Sequence, residues 1–503
     1  MTFLEHLPVL LVITPLLAAP LVALARHAFA ARLLASAAVF ATACIAFGLV
    51  QWTGHLEAPL SYQLGGWAAP YGIEYRVTKA SALVAALVSS VAFIAILAGT
   101  HFTRREVVDG RQHLFFAAYL LCLAGLLGMA TTGDAFNVFV FLEISSLSTY
   151  TLVAMGRSRR AFSASFNYLV LGTIGGTFML LGIGLLFQVT GSLNAADIAA
   201  RISADDPSRT LHVAFAFVAT GLAIKLAVFP LHQWLPGAYA ESPSAVGAFL
   251  AGTATKVIYF QLIRAIVGLF GVAYVFEGLH FGRILAALSL LGMFGGSLSA
   301  VYQSSLKRLL AYSSIGQVGY LTLALSLGTE DGLSAGLLHL CAHGVTKSGL
   351  FLIVAAMVAT VGCDRISRLR GYGKRHPVIA FGFVLGGIGL IGIPGTAGFV
   401  SKWALLKASL ASGHPLLAAA ALLSSLIAVV YVWRVVETMY LQDPPANATP
   451  SADPTPSWKL AGPAFILLGA SIVMGVYSEP LTSFVGEASA QLFRGAELIG
   501  SAQ

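Results

Sequence analysis

Residues 225–264, KLAVFPLHQWLPGAYAESPSAVGAFLAGTATKVIYFQLIR, decide how this chain can fold. The stretch starts at the end of an apolar segment with Lys225, passes Pro230 and a polar run, and enters a second apolar segment with Lys256. Proline removes a backbone donor and clashes with the preceding helical turn. Interrupted backbone at membrane depth persists only inside protein or beside a water-filled cavity. The stretch therefore predicts two helices, the first of them broken, inside a membrane protein.

The composition of the whole chain agrees with a lipid environment. Of the 503 residues, 57% are hydrophobic and only 10% are charged, whereas soluble domains carry about 25% charged residues. About fourteen apolar segments reach the roughly 20 residues that a spanning helix needs. The predicted fold class is therefore an all-α polytopic membrane protein. The segments lie near residues 8–26, 32–52, 77–100, 113–131, 135–155, 163–188, 210–230, 244–270, 282–302, 306–328, 332–361, 377–410, 414–440 and 458–480.

Basic residues are concentrated in alternate loops. The net charge of +8 could indicate nucleic acid in a soluble protein. Here the excess lies in the odd-numbered loops, so it indicates topology and no nucleic-acid partner. By the positive-inside rule these loops are cytoplasmic, which predicts both termini on the non-cytoplasmic side of a bacterial cell (inner) membrane. The residues concerned are Arg26, Arg32, Arg104, Arg105, Arg111, Arg157, Arg159, Arg160, Lys307, Arg308, Arg365, Arg368, Arg370, Lys374 and Arg375.

A second break is predicted in the twelfth segment, where residues 392–403 read GIPGTAGFVSKW. The two breaks occupy corresponding places in two blocks of five helices, helices 4–8 and 9–13. Paired interruptions of this kind indicate an internal repeat with the binding path at the breaks. The predicted units are residues 1–112 (helices 1–3), 113–270 (first repeat), 271–440 (second repeat) and 441–503 (helix 14 and a short tail).

Five ionisable residues lie within the apolar segments. Each costs at least ~2.5–3.5 kcal/mol in the bilayer centre and suggests a functional site. A static ion pair that fixes helix packing remains the alternative for any one Lys–Glu pair. Asp134 and Lys79, near helix ends, are instead expected to be solvated. The five residues are Glu143, Lys225, Lys256, Lys347 and Lys402.

Buried lysines are suited to proton transfer. Burial disfavours the charged ammonium, so a buried lysine can bind and release a proton near neutral pH. A nearby carboxylate stabilises the ammonium again. We therefore hypothesise that changes in the influence of Glu143 on Lys225 load and unload a proton.

Histidines accompany the lysines. His339 and His343 lie one turn apart on the segment that carries Lys347, and histidine titrates near neutral pH. A proton relay is favoured over core histidines. Their spacing also suits a metal, but with no further ligand nearby we predict neither a metal site nor a cofactor. His232, beside the first break, is a candidate for proton entry or exit, or hydrogen-bonds the exposed backbone there.

Hydroxyl and amide side chains near these charges allow two interpretations. They can hold water chains or join helices, as such groups commonly do in membranes. The residues are Ser145, Ser146, Ser148, Thr149, Ser313, Ser314 and Gln317.

Together these motifs resemble the antiporter-like membrane subunits shared by respiratory complex I and the Mrp-type multisubunit cation/proton antiporters. The resemblance covers most of the chain. Residues 225–264 carry it most strongly, and FLEISSLSTYTLV (141–153), LKRLLAYSSIGQVGYL (306–321) and GIPGTAGFVSKW (392–403) add to it. It implies 14 transmembrane helices, with two inverted five-helix repeats and broken helices 7 and 12.

The same resemblance implies roles for the charged residues. Glu143 on helix 5 would pair with Lys225 on helix 7, and Lys256, Lys347 and Lys402 would complete the relay on helices 8, 11 and 12. The lysine on helix 12 and residues 65–77, GGWAAPYGIEYRV, are most similar to the D-type branch of the Mrp antiporter subunits. Thr78 departs from the acidic residue expected there.

Three functions compete at this point. The first is exchange of Na⁺, or another alkali cation, for H⁺ within a hetero-oligomer of membrane subunits. The second is a proton-pumping module of a complex I-like NADH:quinone or hydrogenase-linked oxidoreductase, and the third is a proton-driven partner of an inorganic-carbon uptake system. The chain carries no redox-cofactor ligands, so a transporter subunit is favoured over an enzyme. No cluster of oxygen ligands indicates a Na⁺ site.

Overall fold

The computed structural model describes residues 3–107, 110–202, 208–444 and 458–501. Within these ranges the protein is almost entirely helical, and one short hairpin interrupts the pattern. The helices are α1 (Leu7–Leu24), α2 (Ala28–Gly54), α3 (Lys79–Glu106), α4 (Gln112–Thr131), α5 (Ala135–Ala154), α6 (Arg159–Thr190), α7 (Ala195–Arg201), α8 (Arg209–Leu226), α9 (Trp234–Glu241), α10 (Ser244–Ile263), α11 (Phe281–Val301), α12 (Leu306–Ser326), α13 (Glu330–Val361), α14 (Tyr372–Arg375), α15 (Pro377–Ile391), α16 (Ala397–Ala411), α17 (Pro415–Tyr440), α18 (Trp458–Val476) and α19 (Glu479–Ser501).

Each apolar segment predicted from the sequence coincides with a helix or a helix pair. Within the described ranges, 11 helices are long and apolar enough to span a membrane, or 12 if the bent pair α18–α19 is one span. Helix α12, with its serines and glutamine, and the half-helices α15 and α16 are not among them. The polytopic all-α membrane fold is confirmed.

The two helices that carry Lys256 and Lys347 lie at the centre of the fold. Nearly every side chain of α10 and α13 is buried, whereas α2, α6 and α17 bury one face. A Cβ at Gly252 would lie 2.0 Å from Ser348 Oγ. Ser348 Oγ in turn donates to the Ala248 carbonyl at 2.8 Å. Small residues therefore let α10 and α13 approach closely, as is common where membrane helices meet.

The first break separates α8 from α9. Helix α8 ends at Ala227, a non-glycine residue in the left-handed region with φ 63°. Trp234 Nε1 donates to the Ile224 carbonyl at 2.9 Å, so a side chain from beyond the break satisfies the end of α8. The Trp234 ring stacks on Tyr168 at a centroid distance of 4.1 Å. The broken backbone is thus held by protein groups, as the sequence pattern required.

We expect Trp234→Phe to lower the free energy of unfolding by about 1 kcal/mol, because a buried carbonyl loses one donor while the aromatic stacking remains. Denaturant unfolding of the solubilised protein measures this. Trp403→Phe is the matched control, because Trp403 is 50% exposed on α16. Equal stability of the two variants would contradict the capping role.

The C-terminal residues differ from the predicted short tail. Helix α19 follows α18 after a bend of 80° and buries Val485 and Ala488. Lys79 Nζ lies 2.5 Å from Glu487 Oε2, and the Lys79 backbone N–H donates to Gln491 Oε1 at 2.9 Å. The tail is therefore an amphipathic helix that is fastened to the start of α3.

The expectation that Asp134 and Lys79 are solvated was wrong. Both residues are 8% exposed. Asp134 caps α5 by accepting from the Asn137 N–H at 2.7 Å, and burial raises the pKa of its carboxyl group. Lys79 is covered by α19. The caps and the amphipathic helix explain the burial of both groups, which their positions near helix ends did not reveal.

A two-stranded hairpin lies between α2 and α3. Strand β1 (Leu60–Gln63) pairs antiparallel with β2 (Glu74–Val77), with Leu60 opposite Val77. Glu74 accepts from Ser61 Oγ at 2.7 Å and from Asn194 Nδ2 at 3.0 Å. The hairpin contains much of residues 65–77, the stretch most similar to the Mrp antiporters, and links this loop to the start of α7.

Candidate proton-transfer site

Glu143 and Lys225 form a mostly buried pair where α5 meets the end of α8. Lys225 Nζ lies 3.5 Å from Glu143 Oε1, with side-chain exposures of 4% and 26%. Nζ also donates to Ser146 Oγ at 2.7 Å and to the Tyr150 hydroxyl at 3.3 Å. Glu143, Ser146 and Tyr150 lie on one face of α5 because residues three or four apart are neighbours on a helix. The predicted pairing is thus present in the structure.

The contact between these two residues is loose. Glu143 Oε1 has no hydrogen-bond partner within the described part of the chain. Ser146 and Tyr150, in contrast, hydrogen-bond the lysine amine. The carboxylate can therefore change its distance from the lysine without breaking a hydrogen bond of its own.

Glycines of α6 provide the space for this pair. A Cβ at Gly176 would lie 2.3 Å from Glu143 Oε1, and a Cβ at Gly172 would lie 1.9 Å from the Tyr150 hydroxyl. From the sequence, glycines in apolar helices indicate close packing in general. Their spacing of four residues was the available signal, but only the structure shows which side chains they face.

We expect Gly176→Ala to lower proton-coupled transport by roughly 10–100-fold, since displacing a reacting group by about 1 Å can cost about 100-fold in rate. The new methyl group would displace the Glu143 carboxylate from Lys225. Gly184→Ala on the same helix is the control, because its Cβ would meet nothing within 4 Å. Comparable transport by both variants, at equal amounts of protein in the membrane, would show that the carboxylate position is unimportant.

A cavity of about 130 Å³ lies near the pair. Arg76, Asp134 and Arg264 line it at the ends of their helices and strand, and Met179 and Leu222 line it deeper in the fold. Leu222 precedes Lys225 by three residues, so the cavity ends about one helical turn, ~5.4 Å, from the pair. Arg264 donates to the Met129 carbonyl at 3.1 Å.

Lys256 is fully buried on α10. Its Nζ donates to the Ala251 carbonyl and lies 3.3 Å from Thr255 Oγ1. Among the described residues no carboxylate pairs with it. Lys256 is thus an amine in the centre of the protein without a counter-ion, which argues against a static ion pair at this position.

The two histidines of α13 stack on each other. Their ring centroids are 6.0 Å apart with an interplanar angle of 12°. His339 Nδ1 bonds Ser401 Oγ at 3.0 Å, whereas His339 Nε2 and both nitrogens of His343 lack hydrogen-bond partners in the described structure. Lys256, Lys347 and Lys402 all interact electrostatically with His343. His343 is therefore the common neighbour of three lysines.

Lys347 and Lys402 have different surroundings. Lys347 Nζ donates to Ser313 Oγ. Lys402 Nζ donates to the carbonyls of Leu390 and Ile391 at 2.8 and 3.0 Å and to Ser425 Oγ at 3.1 Å. Those two carbonyls are at the free end of α15, where the helix dipole favours a cation. Lys402 thus also stabilises the second break, as Trp234 stabilises the first.

His232 lies at the first break and apart from the other histidines. It is half-buried, and its ring stacks on Phe229 at 4.9 Å. Its Nδ1 has no hydrogen-bond partner in the described structure. The alternative in which this nitrogen bonds the local backbone is therefore not seen.

The hydroxyl groups divide between the two interpretations left open by the sequence. Ser146 and Ser313 bond the lysine amines, whereas Ser145, Ser148 and Thr149 bond carbonyls of their own helix. Ser401 and Ser425 were missed by sequence reasoning. Both come from parts of the chain distant from the groups they contact, so no local pattern indicated them.

The structure thus separates the predicted residues into two groups. Glu143 and Lys225 form the first, and Lys256, His339, His343, Lys347 and Lys402 form the second. Stacked aromatic rings of Tyr168 and Trp234 lie beside the first break. Among the described residues, no three His, Cys, Asp or Glu side chains are placed to hold a metal ion.

Comparisons with known proteins agree with this arrangement. Residues 132–428 match the family described as NADH:quinone oxidoreductase/Mrp antiporter, TM. The chain is 37% identical over 494 residues to NADH-quinone oxidoreductase subunit N of Desulforudis audaxviator (strain MP104C), covering 95% of this chain and 97% of that one. It is 27% identical over 459 residues to the D subunit of the Na(+)/H(+) antiporter of Bacillus subtilis (strain 168), covering 90% and 91%.

A solved structure extends the comparison to the fold. A chain in the structure of the Mrp complex from Dietzia sp. DQ12-45-1b superposes with a TM-score of 0.90 and 26% identity, covering 100% of this chain and 99% of that one. The resemblance inferred from the sequence is confirmed. Because the family match spans more than half of the chain, the protein belongs to the NADH:quinone oxidoreductase/Mrp antiporter transmembrane family.

Proposed function

We propose that this chain is a proton-translocating subunit of a multisubunit Na⁺ (monovalent cation)/H⁺ antiporter. The observation that carries the proposal is the Glu143–Lys225 contact at a helix break, together with three more buried lysines around His343. Buried ionisable residues in membrane helices mark ion or proton pathways. The relatives named as antiporter subunits support the cation-exchange activity.

In this proposal the proton moves between the two groups of residues. Lys225 exchanges its proton as Glu143 approaches or withdraws, and Ser146 and Tyr150 keep the amine in place. Lys256 receives it in the centre of the fold, and His343 and His339 connect Lys256 with Lys347 and Lys402. His232 marks an entry or exit point beside the first break.

The cavity beside Leu222 supplies one route to water. We assign its outer end to the non-cytoplasmic side, because the loops there alternate with the basic loops that face the cytoplasm. Both termini and α19 then lie on the non-cytoplasmic side of the bacterial inner membrane. One helical turn of apolar side chains separates the cavity from the Glu143–Lys225 pair, so access would require local wetting.

The internal repeat supports the same path. Helices 4–8 (113–270) and 9–13 (271–440) each contain one broken helix, and side chains satisfy both broken ends. We propose that these blocks are inverted repeats, that residues 1–112 flank them, and that helix 14 with α19 completes the chain. Proton-carrying residues then lie near the bilayer middle, where such repeats place binding sites.

Partners are part of the proposal. The chain would act with other membrane subunits of a hetero-oligomer, in a lipid bilayer, with H⁺ and Na⁺ or another alkali cation as the transported ions. A relative with a TM-score of 0.90 comes from an Mrp complex. The described residues include no cluster of carboxylates around a cavity that would hold Na⁺ by themselves.

The test is cation-dependent dissipation of ΔpH in everted vesicles that contain the assembled complex. Addition of Na⁺ should collapse a preformed ΔpH, and vesicles that lack the complex are the control. If no alkali cation changes ΔpH in a complex verified as intact, the antiporter proposal fails.

A second candidate function is proton pumping in a redox complex. It is favoured by the 37% identity to a protein named NADH-quinone oxidoreductase subunit N. In that case the same path would acidify everted vesicles when NADH or another electron donor is supplied, without any alkali cation. Pumping that depends on electron transfer, in the absence of cation-dependent ΔpH dissipation, would select this second function.

A further inference from the structure

A second cavity, of about 530 Å³, lies away from the buried lysines. Its walls are the turn between α11 and α12, the short helix Ile366–Leu369 and the last turns of α17. The Ile366 N–H donates to the Ser304 carbonyl at 3.0 Å, and the Gly371 N–H donates to the Thr438 carbonyl at 3.3 Å. The backbone therefore joins the three walls. All three belong to the face of the odd-numbered, basic loops.

The lining of this cavity is strongly basic. Arg365, Arg370 and Arg434 line it, against one carboxylate, Glu437. Within the described residues none of these four side chains forms an ion pair. The cavity thus contains uncompensated positive charge.

Arg434 is the fixed member of the set. Its Nη1 donates to the carbonyls of Val301 and Gln303, with 3.0 Å for the second bond. These acceptors are at the end of α11, so the guanidinium is held in place. Its Nε and Nη2 donate to no group in the described structure, and an arginine fork matches two oxygens of a phosphate.

The depth of the cavity in the membrane is indicated by the neighbouring surface of α17. Leu426, Val430 and Trp433 form an exposed stripe at helical spacing, with exposures of 62%, 52% and 56%. Tryptophan is enriched where the apolar core meets the headgroups. Arg434 directly follows Trp433, which places the cavity at headgroup level with an apolar path leading from it.

We propose that this cavity binds a phosphate ester, namely the headgroup of an anionic phospholipid whose acyl chains lie along Leu426, Val430 and Trp433. Basic pockets between membrane helices on the cytoplasmic side recognise such headgroups. Free phosphate shares the recognised chemistry, but it would leave the adjoining apolar stripe without a role. The site is separate from the proton path and does not depend on the transport activity.

The experiment uses the full chain with the subunits that copurify with it, in phosphatidylcholine nanodiscs doped with phosphatidylglycerol of the same acyl composition. Native mass spectrometry counts the lipids that remain bound. We expect at least a fivefold preference for phosphatidylglycerol, and loss of that preference in Arg434→Gln and Arg370→Gln. Arg370 makes no side-chain contact in the described structure, so its variant remains informative if Arg434→Gln impairs folding.

Arg368→Gln is the matched control, because Arg368 is exposed on the same short helix and does not line the cavity. Retention of the preference in this variant alone supports the proposal. Equal losses in all three variants, or no preference in the wild type, would overturn it. Titration with inorganic phosphate forms a separate arm: saturable binding that Arg370→Gln weakens, without any lipid preference, would reject the lipid as ligand and assign the cavity to a soluble anion.

Discussion

Lys225→Ala should abolish the Na⁺-dependent collapse of ΔpH, with at least a ~100-fold loss, the low end of what a positioned proton-transfer group contributes. The change removes the amine that faces Glu143 at 3.5 Å and leaves that carboxylate without a cation in a mostly buried position. Glu143→Gln should have the same effect on transport, because the neutral amide no longer modulates the lysine. Everted vesicles with equal amounts of the assembled complex measure both.

Lys225→Arg distinguishes a proton carrier from a static ion pair. Arginine keeps the positive charge but is not deprotonated in proteins. A structural pair would therefore keep its transport in this variant, whereas a carrier would lose it. If Lys225→Arg exchanges cations at the wild-type rate while the protein is folded, Lys225 does not carry the proton.

Lys256→Met is expected to separate transport from stability. Transport should fall by about 100-fold or more, because the amine between the two groups of residues is lost. The melting temperature should not fall, because the replacement is apolar, is similar in length, and removes an ammonium that has no counter-ion among the described residues. Burying such a charge is unfavourable. Thermal unfolding and ΔpH dissipation are measured on the same preparation.

Lys407→Met is the matched control for that variant. Lys407 is exposed on α16, so its replacement should leave both transport and melting temperature unchanged. A lower melting temperature for Lys256→Met with unchanged transport would show that Lys256 serves the packing of α10. The two lysines thus test whether burial without a counter-ion marks function in this protein.

The two breaks show why some predictions were confirmed and others were incomplete. Proline and glycine inside apolar segments were enough to predict the ends of α8 and α15, since their backbone effects are local. What satisfies the broken ends was not predictable. Trp234 and Lys402 reach carbonyls across a break, and such contacts depend on how the half-helices pack.

The site residues follow the same division. Glu143 and the buried lysines were recognisable because a charge within an apolar segment is costly wherever the helix is placed. Gly176, Ser401 and Ser425 were not recognised as part of the site, because each is an ordinary residue of a membrane helix until a partner faces it. The amphipathic helix α19 was taken for a tail, because its apolar residues are too widely spaced to form a spanning segment.

The sequence by itself determined the solvent of this protein, its apolar helices, the positions of the two breaks and the buried charges. Each of these follows from free energies that depend on residue type and on neighbours along the chain. Only the tertiary structure decided that Glu143 meets Lys225, that His343 is shared by three lysines, and that three arginines surround an open cavity. These arrangements join residues tens to hundreds of positions apart, and only the packing of the helices sets the distances between them.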